Sequence, residues 1–218
     1  MQKTTTCDFT IVFYLSRAAL KYMLKIFFRL ESYFHPELDV EKSNYLIIAN
    51  HCSNLDPPAV GCFYPKPIHF MAKQEMHDIP ILGKFYFSKL GTIPVKRGSG
   101  DLNAIKLAIQ YLKKGENVGI FPEGTRSPDG KMHKAKAGAG MIAYQSKAII
   151  LPVYVHNTFN VWSRHQKFPK FEKIKVFYGK PYLSELYKEK KSKELYQAIA
   201  DEMMENIKKT KEYFKKYI

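Results

Sequence analysis

His51 and Asp56 stand five positions apart in the stretch YLIIANHCSNLDPPAV, which runs from Tyr45 to Val60. At that spacing a turn can bring the carboxylate against one imidazole nitrogen, which leaves the other nitrogen as a base. The turn holds no serine or cysteine set up for such a base to activate. The pair therefore suits a reaction in which the substrate brings its own hydroxyl. Plainer roles compete with this one: Asp56 before Pro57 reads as a helix N-cap, and His51 as a polar turn residue. Cys52 adjoins His51, but neighbours on an extended segment point to opposite faces, which disfavours a Cys–His nucleophile.

Other clusters accompany the pair. GTIPVKRG, Gly91 to Gly98, ends a strand with Lys96 and Arg97. FPEGTRS, Phe121 to Ser127, ends another with Glu123, Gly124, Thr125 and Arg126. ILPV puts Pro152 inside an apolar strand, where a residue without an N–H marks an edge or a kink. Arginine suits bidentate phosphate contact and lysine a point charge, while Gly124 lets backbone approach a ligand closely. Taken singly, these cations also suit surface salt bridges. Strand ends are where ligands collect in α/β sheets, so the clusters gain meaning if those ends converge.

The surrounding pattern supplies such strands. Short β runs at Tyr45–Ala49, Ile68–Ala72, Thr92–Val95, Asn117–Phe121, Ala148–Val155 and Lys173–Tyr178 alternate with helical stretches at Pro57–Phe63, Ile81–Leu90, Asp101–Lys114, Ala137–Ser146 and Ser184 to about Lys216. That alternation predicts an α/β layer structure. In the last helix Leu195, Ile199, Met203 and Ile207 make one buried stripe. His156 to Lys170, with the lone Trp162, is the longest irregular stretch, either a loop over the site or a plain surface connection.

Upstream, Arg17, Lys21, Lys25 and Arg29 recur every four residues. On a helix they drift through roughly 120° and form a basic stripe. Ala19, Tyr22, Met23, Ile26, Phe27 and Leu30 fill the other side. Such a helix suits a membrane interface, with docking on its own domain as the alternative. The apolar run Phe9 to Leu15 is too short to span a bilayer, and no signal-peptide cleavage site follows it.

Composition bounds these possibilities. The 218 residues are 45% hydrophobic, enough for one large core. A net charge of +15 predicts anionic partners: nucleic acid, an acidic membrane or a phosphorylated substrate. The 15 Phe and 15 Tyr exceed what a core requires, so some should face a ligand or lipid. The 3 cysteines are odd in number and lack zinc spacing, which indicates a reducing, cytosolic setting.

Together NHCSNLD, GTIPVKRG, FPEGTRS and ILPV resemble the blocks of the glycerolipid acyltransferases, above all the PlsC-type 1-acylglycerol-3-phosphate acyltransferases. The resemblance runs from about Ser43 to Lys180, and the first and third blocks are the specific ones. It implies an acyltransferase-type mixed central sheet flanked by helices over residues 41–218, after an N-terminal amphipathic, membrane-anchoring helical region over 1–40. It implies His51 as general base supported by Asp56, the HX4D motif. It assigns Lys96, Arg97, Glu123, Gly124, Thr125 and Arg126 to the acceptor's phosphate and glycerol, and Pro152 to the acyl-donor region. No metal or cofactor is implied; acyl-CoA or acyl-ACP serves as co-substrate. The chain departs at HKAKAGAG, where Ala135 precedes Lys136 in place of an aromatic residue.

The implied function is transfer of a fatty acyl group to the sn-2 hydroxyl of lysophosphatidic acid, giving phosphatidic acid at the cytoplasmic face of a membrane with anionic lipids. Alternatives are another lysolipid acceptor such as a lyso-aminolipid, a His–Asp hydrolase using water, or a non-catalytic basic membrane- or nucleic-acid-binding protein. Nucleic acid is disfavoured, since zinc spacing, an RNP-type aromatic motif and a helix-turn-helix signature are all absent from the sequence.

Overall fold

A computed structural model describes residues 11–41, 44–77, 91–96 and 101–218. The helical stretch expected at Ile81–Leu90 lies outside them, as does Arg97.

The strands are β1 (Glu31–Phe34), β2 (Tyr45–Ala49), β3 (Ile68–Lys73), β4 (Ile93–Val95), β5 (Asn117–Ile120), β6 (Ile149–His156) and β7 (Lys175–Tyr178). They form one 7-stranded sheet in the order β1-β7-β6-β2-β5-β3-β4. The run from β6 to β4 is parallel, whereas β7 is antiparallel to β6 and parallel to β1. The helices are α1 (Ile11–Phe28), α2 (Asp56–Phe63), α3 (Gln74–His77), α4 (Leu102–Lys113), α5 (Ala137–Ser146), α6 (Thr158–Trp162) and α7 (Lys193–Tyr213). The result is the expected mixed α/β sheet flanked by helices.

β2 shows how alternation builds both layers. Leu46 and Ile48 join the core beneath α4, α5 and α7. Tyr45, Ile47 and Ala49 join the core shared with α1 and α2. Every residue of β2 is buried, as a strand covered on both faces requires. The helical layer is tightest at Gly140, where an added Cβ would lie 1.9 Å from the Tyr196 carbonyl oxygen. Only glycine lets α5 approach α7 this closely.

Several expectations are corrected. Glu31–Phe34, within the region expected to be helical, pairs with β7 as the sheet's outermost strand. The C-terminal helix starts at Lys193, not Ser184: a short 3-10 turn at Glu185–Lys188 precedes it, and the Ser192 hydroxyl caps it by accepting from the Leu195 N–H. Pro152 lies on an interior strand, not an edge, and is buried there beside Ile48 of β2. Its carbonyl accepts from the Gly179 N–H at 2.8 Å, and beyond it Ile150 and Tyr182 exchange both backbone bonds, so the chains stay joined on either side of the one N–H that proline lacks.

The faces of α1 also differ from expectation. Leu24 and Phe28 are buried against the domain. Arg17 donates to the carbonyls of Tyr64 and Pro65 at the end of α2, and the Lys21 ammonium sits 4.7 Å from the Phe63 ring centre. Lys25 and Arg29 stay exposed. The drift of a four-residue repeat carries Lys25 out of the docked side where Arg17 and Lys21 start, while Arg29 lies past the helix end at φ +43°. The face turned outward is apolar, carrying Leu15, Tyr22, Ile26 and Phe27.

Candidate active site

The parallel strands β6, β2, β5, β3 and β4 end on one edge of the sheet. After β5 the chain crosses over β2 to form β6, so β2 ends between two oppositely wound connections. Such a switch point leaves a crevice where strand-end loops can meet.

Asn50 locks the end of β2. Its amide donates to the Val155 carbonyl at 3.0 Å and accepts from the Val155 N–H at 2.8 Å, continuing the β6 pairing through a side chain. The next residue, His51, turns its ring onto Phe121 at the end of β5, with centroids 4.0 Å apart and planes 19° apart. Its Nδ1 lies 2.8 Å from Asp56 Oδ2. A carboxylate only accepts, so Nδ1 carries the proton and Nε2 keeps a free lone pair. The same Oδ2 accepts from the N–H groups of Cys52 and Ser53, both at 2.7 Å. Asp56 is wholly buried and the His51 side chain 17% exposed.

This geometry settles the competing account of Asp56. Leu55 is the N-cap residue of α2 and Asp56 its first helical residue, with no side-chain cap bond formed. The carboxylate turns away from the helix toward the His51 turn. Pro57 and Pro58 hold the helix start without needing a cap, because neither brings an N–H. The same fact removes the start of α2 as a source of oxyanion donors: the Asp56 N–H goes to Ser53 and that of Ala59 to Leu55.

The loop after β5 is tied to the same turn. Glu123 is buried; its Oε1 accepts from the His51 N–H at 3.0 Å and its Oε2 from the His133 N–H at 3.1 Å. Burial pushes its carboxyl above the ordinary value, and those two N–H bonds pull the other way. Its side chain therefore points into the protein and braces the His51 backbone. Ser127 completes the tie by donating its N–H to the His51 carbonyl at 2.7 Å.

Gly124 has φ +68°, and an added Cβ would meet the Lys136 side chain at 2.9 Å. Glycine thus permits both the turn and the passage of the Lys136 chain over it. Thr125 is exposed and Arg126 half-buried beside it. Lys96 is exposed at the end of β4, and its N–H donates to Asp101, the N-cap of α4. At about 4.8 Å per strand, the end of β4 lies roughly 14 Å along the edge from that of β2. The sheet thus brings His51, Asp56 and the Glu123–Arg126 loop together, with Lys96 farther along the same edge. Pro152 stays inside the sheet, four positions before the end of β6.

Asn50 and Phe121 are the positioning residues that motif reading passes over. Both stand inside the quoted blocks, which is the only signal they carry. Cys52 is buried, and burial, with the charges of Asp56 and Glu123, pushes its thiol to about 12, so it stays protonated. Among the described residues, no three His, Cys, Asp or Glu side chains converge to hold a metal ion.

A family model described as Acyltransferase matches residues 26–156, which span every strand end just described. The chain belongs to the acyltransferase family. Among its relatives, a Bacillus subtilis (strain 168) protein named 1-acyl-sn-glycerol-3-phosphate acyltransferase is 32% identical over 167 residues, 76% of this chain and 80% of that one. A Saccharomyces cerevisiae protein of the same name is 30% identical and matched over 79% of this chain and 58% of its own length. In fold, the acyltransferase resembles a crystal structure titled the 1-acyl-sn-glycerophosphate (LPA) acyltransferase, PlsC, from Thermotoga maritima. The TM-score is 0.73 at 24% identity, over 92% of this chain and 79% of that one.

Proposed function

We propose that this acyltransferase moves a fatty acyl group from a thioester to the sn-2 hydroxyl of 1-acyl-glycerol-3-phosphate, giving phosphatidic acid. The observation that carries the reading is the 2.8 Å contact between His51 Nδ1 and the buried Asp56 carboxylate. It leaves Nε2 as the one lone pair of that ring, beside a loop of exposed backbone and cations. Nε2 takes the acceptor's hydroxyl proton as the oxygen bonds to the thioester carbonyl carbon. The resulting tetrahedral oxyanion collapses and the C–S bond breaks. The imidazolium then returns its proton to the departing thiolate, whose conjugate acid has an ordinary pKa of about 8.5.

Asp56 holds the ring and offsets the imidazolium charge. Glu123 keeps the His51 backbone in place. Arg97, Lys96 and Arg126 take the phosphate, with Gly124 and Thr125 against the glycerol. Pro152, buried mid-strand, would influence the donor only through the shape of β6. The named activity of the Bacillus and yeast relatives supports the phosphate-bearing acceptor. The thioester carrier is acyl-CoA or acyl-ACP. No helix among the described residues is long and apolar enough to cross a membrane. The outward apolar face of α1 supports a peripheral seat on the cytoplasmic face of an anionic membrane.

The test is an assay of the full chain with vesicles, lysophosphatidic acid and each thioester, reading the lipid product by mass spectrometry. Phosphatidic acid should form and should vanish with His51→Ala. Arg97→Ala should raise the KM for the acceptor far more than that for the donor. Formation of free fatty acid alone would reject acyl transfer in favour of hydrolysis.

A further inference from the structure

The segment from Ser163 to Phe171, between α6 and β7, reads SRHQKFPKF. It contains no acidic residue, and it holds the most exposed large apolar side chain among the described residues, Phe168, at 81%, with Phe171 at 64%. Exposed phenylalanines on slack loops mean little, but this loop is braced. The Lys170 N–H donates to the Val161 carbonyl at 2.8 Å, and the Ser163 N–H to the Gln166 side chain at 2.6 Å. Trp162 Nε1 donates to the Gln166 carbonyl at 3.3 Å. These bonds hold the loop in a shape that turns both rings outward.

Two further observations say what the rings face. Phe171 packs 5.6 Å from Phe27 and 5.9 Å from Phe28, centroid to centroid, so the loop extends the outward apolar face of α1. Ile26 on that face is 71% exposed. Large contiguous apolar patches mark interaction surfaces. The same two segments carry Lys25 and Arg29, and Arg164, Lys167 and Lys170, all exposed. Aromatic rings set among cations match the interface of an anionic bilayer, where the rings enter the acyl boundary and the cations meet headgroups.

The loop is also joined to the site. Arg164 donates to the Arg126 carbonyl at 3.1 Å, and His165 Nε2 lies 3.1 Å from the Pro128 carbonyl. The Ser53 hydroxyl donates to the Trp162 carbonyl at 2.7 Å. The loop after β5 therefore touches it directly, and the His51 turn reaches it through Trp162, the last residue of α6.

We propose that the Arg164–Phe171 loop is a second membrane contact, inserting Phe168 and Phe171 into an anionic bilayer beside α1 and so setting how the strand-end edge meets the lipid surface. This rests on the peripheral seat proposed for α1 and adds an orienting point to it. One helix lying in an interface leaves the domain free to roll about its axis; a second contact off that axis removes the freedom.

The test measures partitioning of the full chain onto sucrose-loaded vesicles, either phosphatidylcholine alone or equimolar with phosphatidylglycerol. Phe168→Ser should weaken partitioning onto the anionic vesicles about tenfold, and F168S/F171S about a hundredfold, as expected for removing ring area from the interface. K167E/K170E should lose its anionic preference while binding neutral vesicles like the parent. Phe168 is 81% exposed, so the single variant should keep the parent's melting temperature and its rate on a short-chain acceptor below its micellar concentration. A parent that binds and a Phe168→Ser variant that binds equally well would overturn the loop's role and leave the seat of α1 intact. A parent that binds neither vesicle would overturn both. Loss of self-association in place of lipid binding would make the face a contact between copies, and would also overturn the proposal.

Discussion

Asp56→Asn isolates charge from shape. The amide keeps the volume, and its oxygen can take the place of Oδ2 toward His51, Cys52 and Ser53. What disappears is the negative charge opposite the ring when the ring becomes imidazolium. With charge centres roughly 4 Å apart and an effective dielectric of about 20, that attraction is worth about 4 kcal/mol. Residual hydrogen bonding returns part of it, so turnover should fall by about 10²–10³-fold. Stability should fall too, because N–H bonds to an ionised acceptor become neutral ones at about 1 kcal/mol each. For a chain of this size the three bonds together lower the melting temperature by about 6–12 °C. The assay is steady-state acyl transfer at saturating substrates, well below the variant's melting temperature, with thermal unfolding measured in parallel. If the melting temperature drops but turnover stays within about threefold of the parent, Asp56 only holds the turn, and the assignment of His51 as an Asp-supported base fails.

Further outcomes follow from the same geometry. Burial holds the Cys52 thiol at about 12 and the Cys62 thiol at about 11. At pH 8 both should therefore resist iodoacetamide in the folded chain and react once unfolded, as peptide mass spectrometry would register; Cys52→Ala should retain acyl transfer, whereas its loss would restore cysteine to the chemistry. In an open helix Gly→Ala gains about 1 kcal/mol, but Gly140→Ala drives a methyl into the Tyr196 carbonyl. It should instead cost about 3 kcal/mol by overpacking, visible as a melting temperature lower by about 6–12 °C; an unchanged or higher value would mean that α5 and α7 sit farther apart.

Much of the fold was legible because its strands are short, apolar and bounded by turns. Tyr45–Ala49 coincides with β2, and Ala137–Ser146 with α5. Glu31–Phe34 was hidden because Glu-Ser-Tyr-Phe has no alternation strong enough to announce a strand, and it became one only when β7 offered an edge. The break before Lys193 was hidden for a similar reason: the helical period continues through Glu185–Lys188, and only packing tightens that turn to 3-10. At the site, His51 and Asp56 could be paired from spacing alone. Glu123 could be named but not understood, since its partners are backbone N–H groups, which leave no mark in a sequence.

Residue order by itself determined the chemistry on offer: an imidazole and a carboxylate within one turn, cations at two other strand ends, and a surplus of positive charge. Tertiary structure decided where those groups point. It set Asp56 against His51 instead of its own helix, since prolines without N–H groups left that helix nothing to cap. It turned the apolar side of α1 outward, because a stripe that drifts along a helix cannot be placed by its spacing until the partner surface is known.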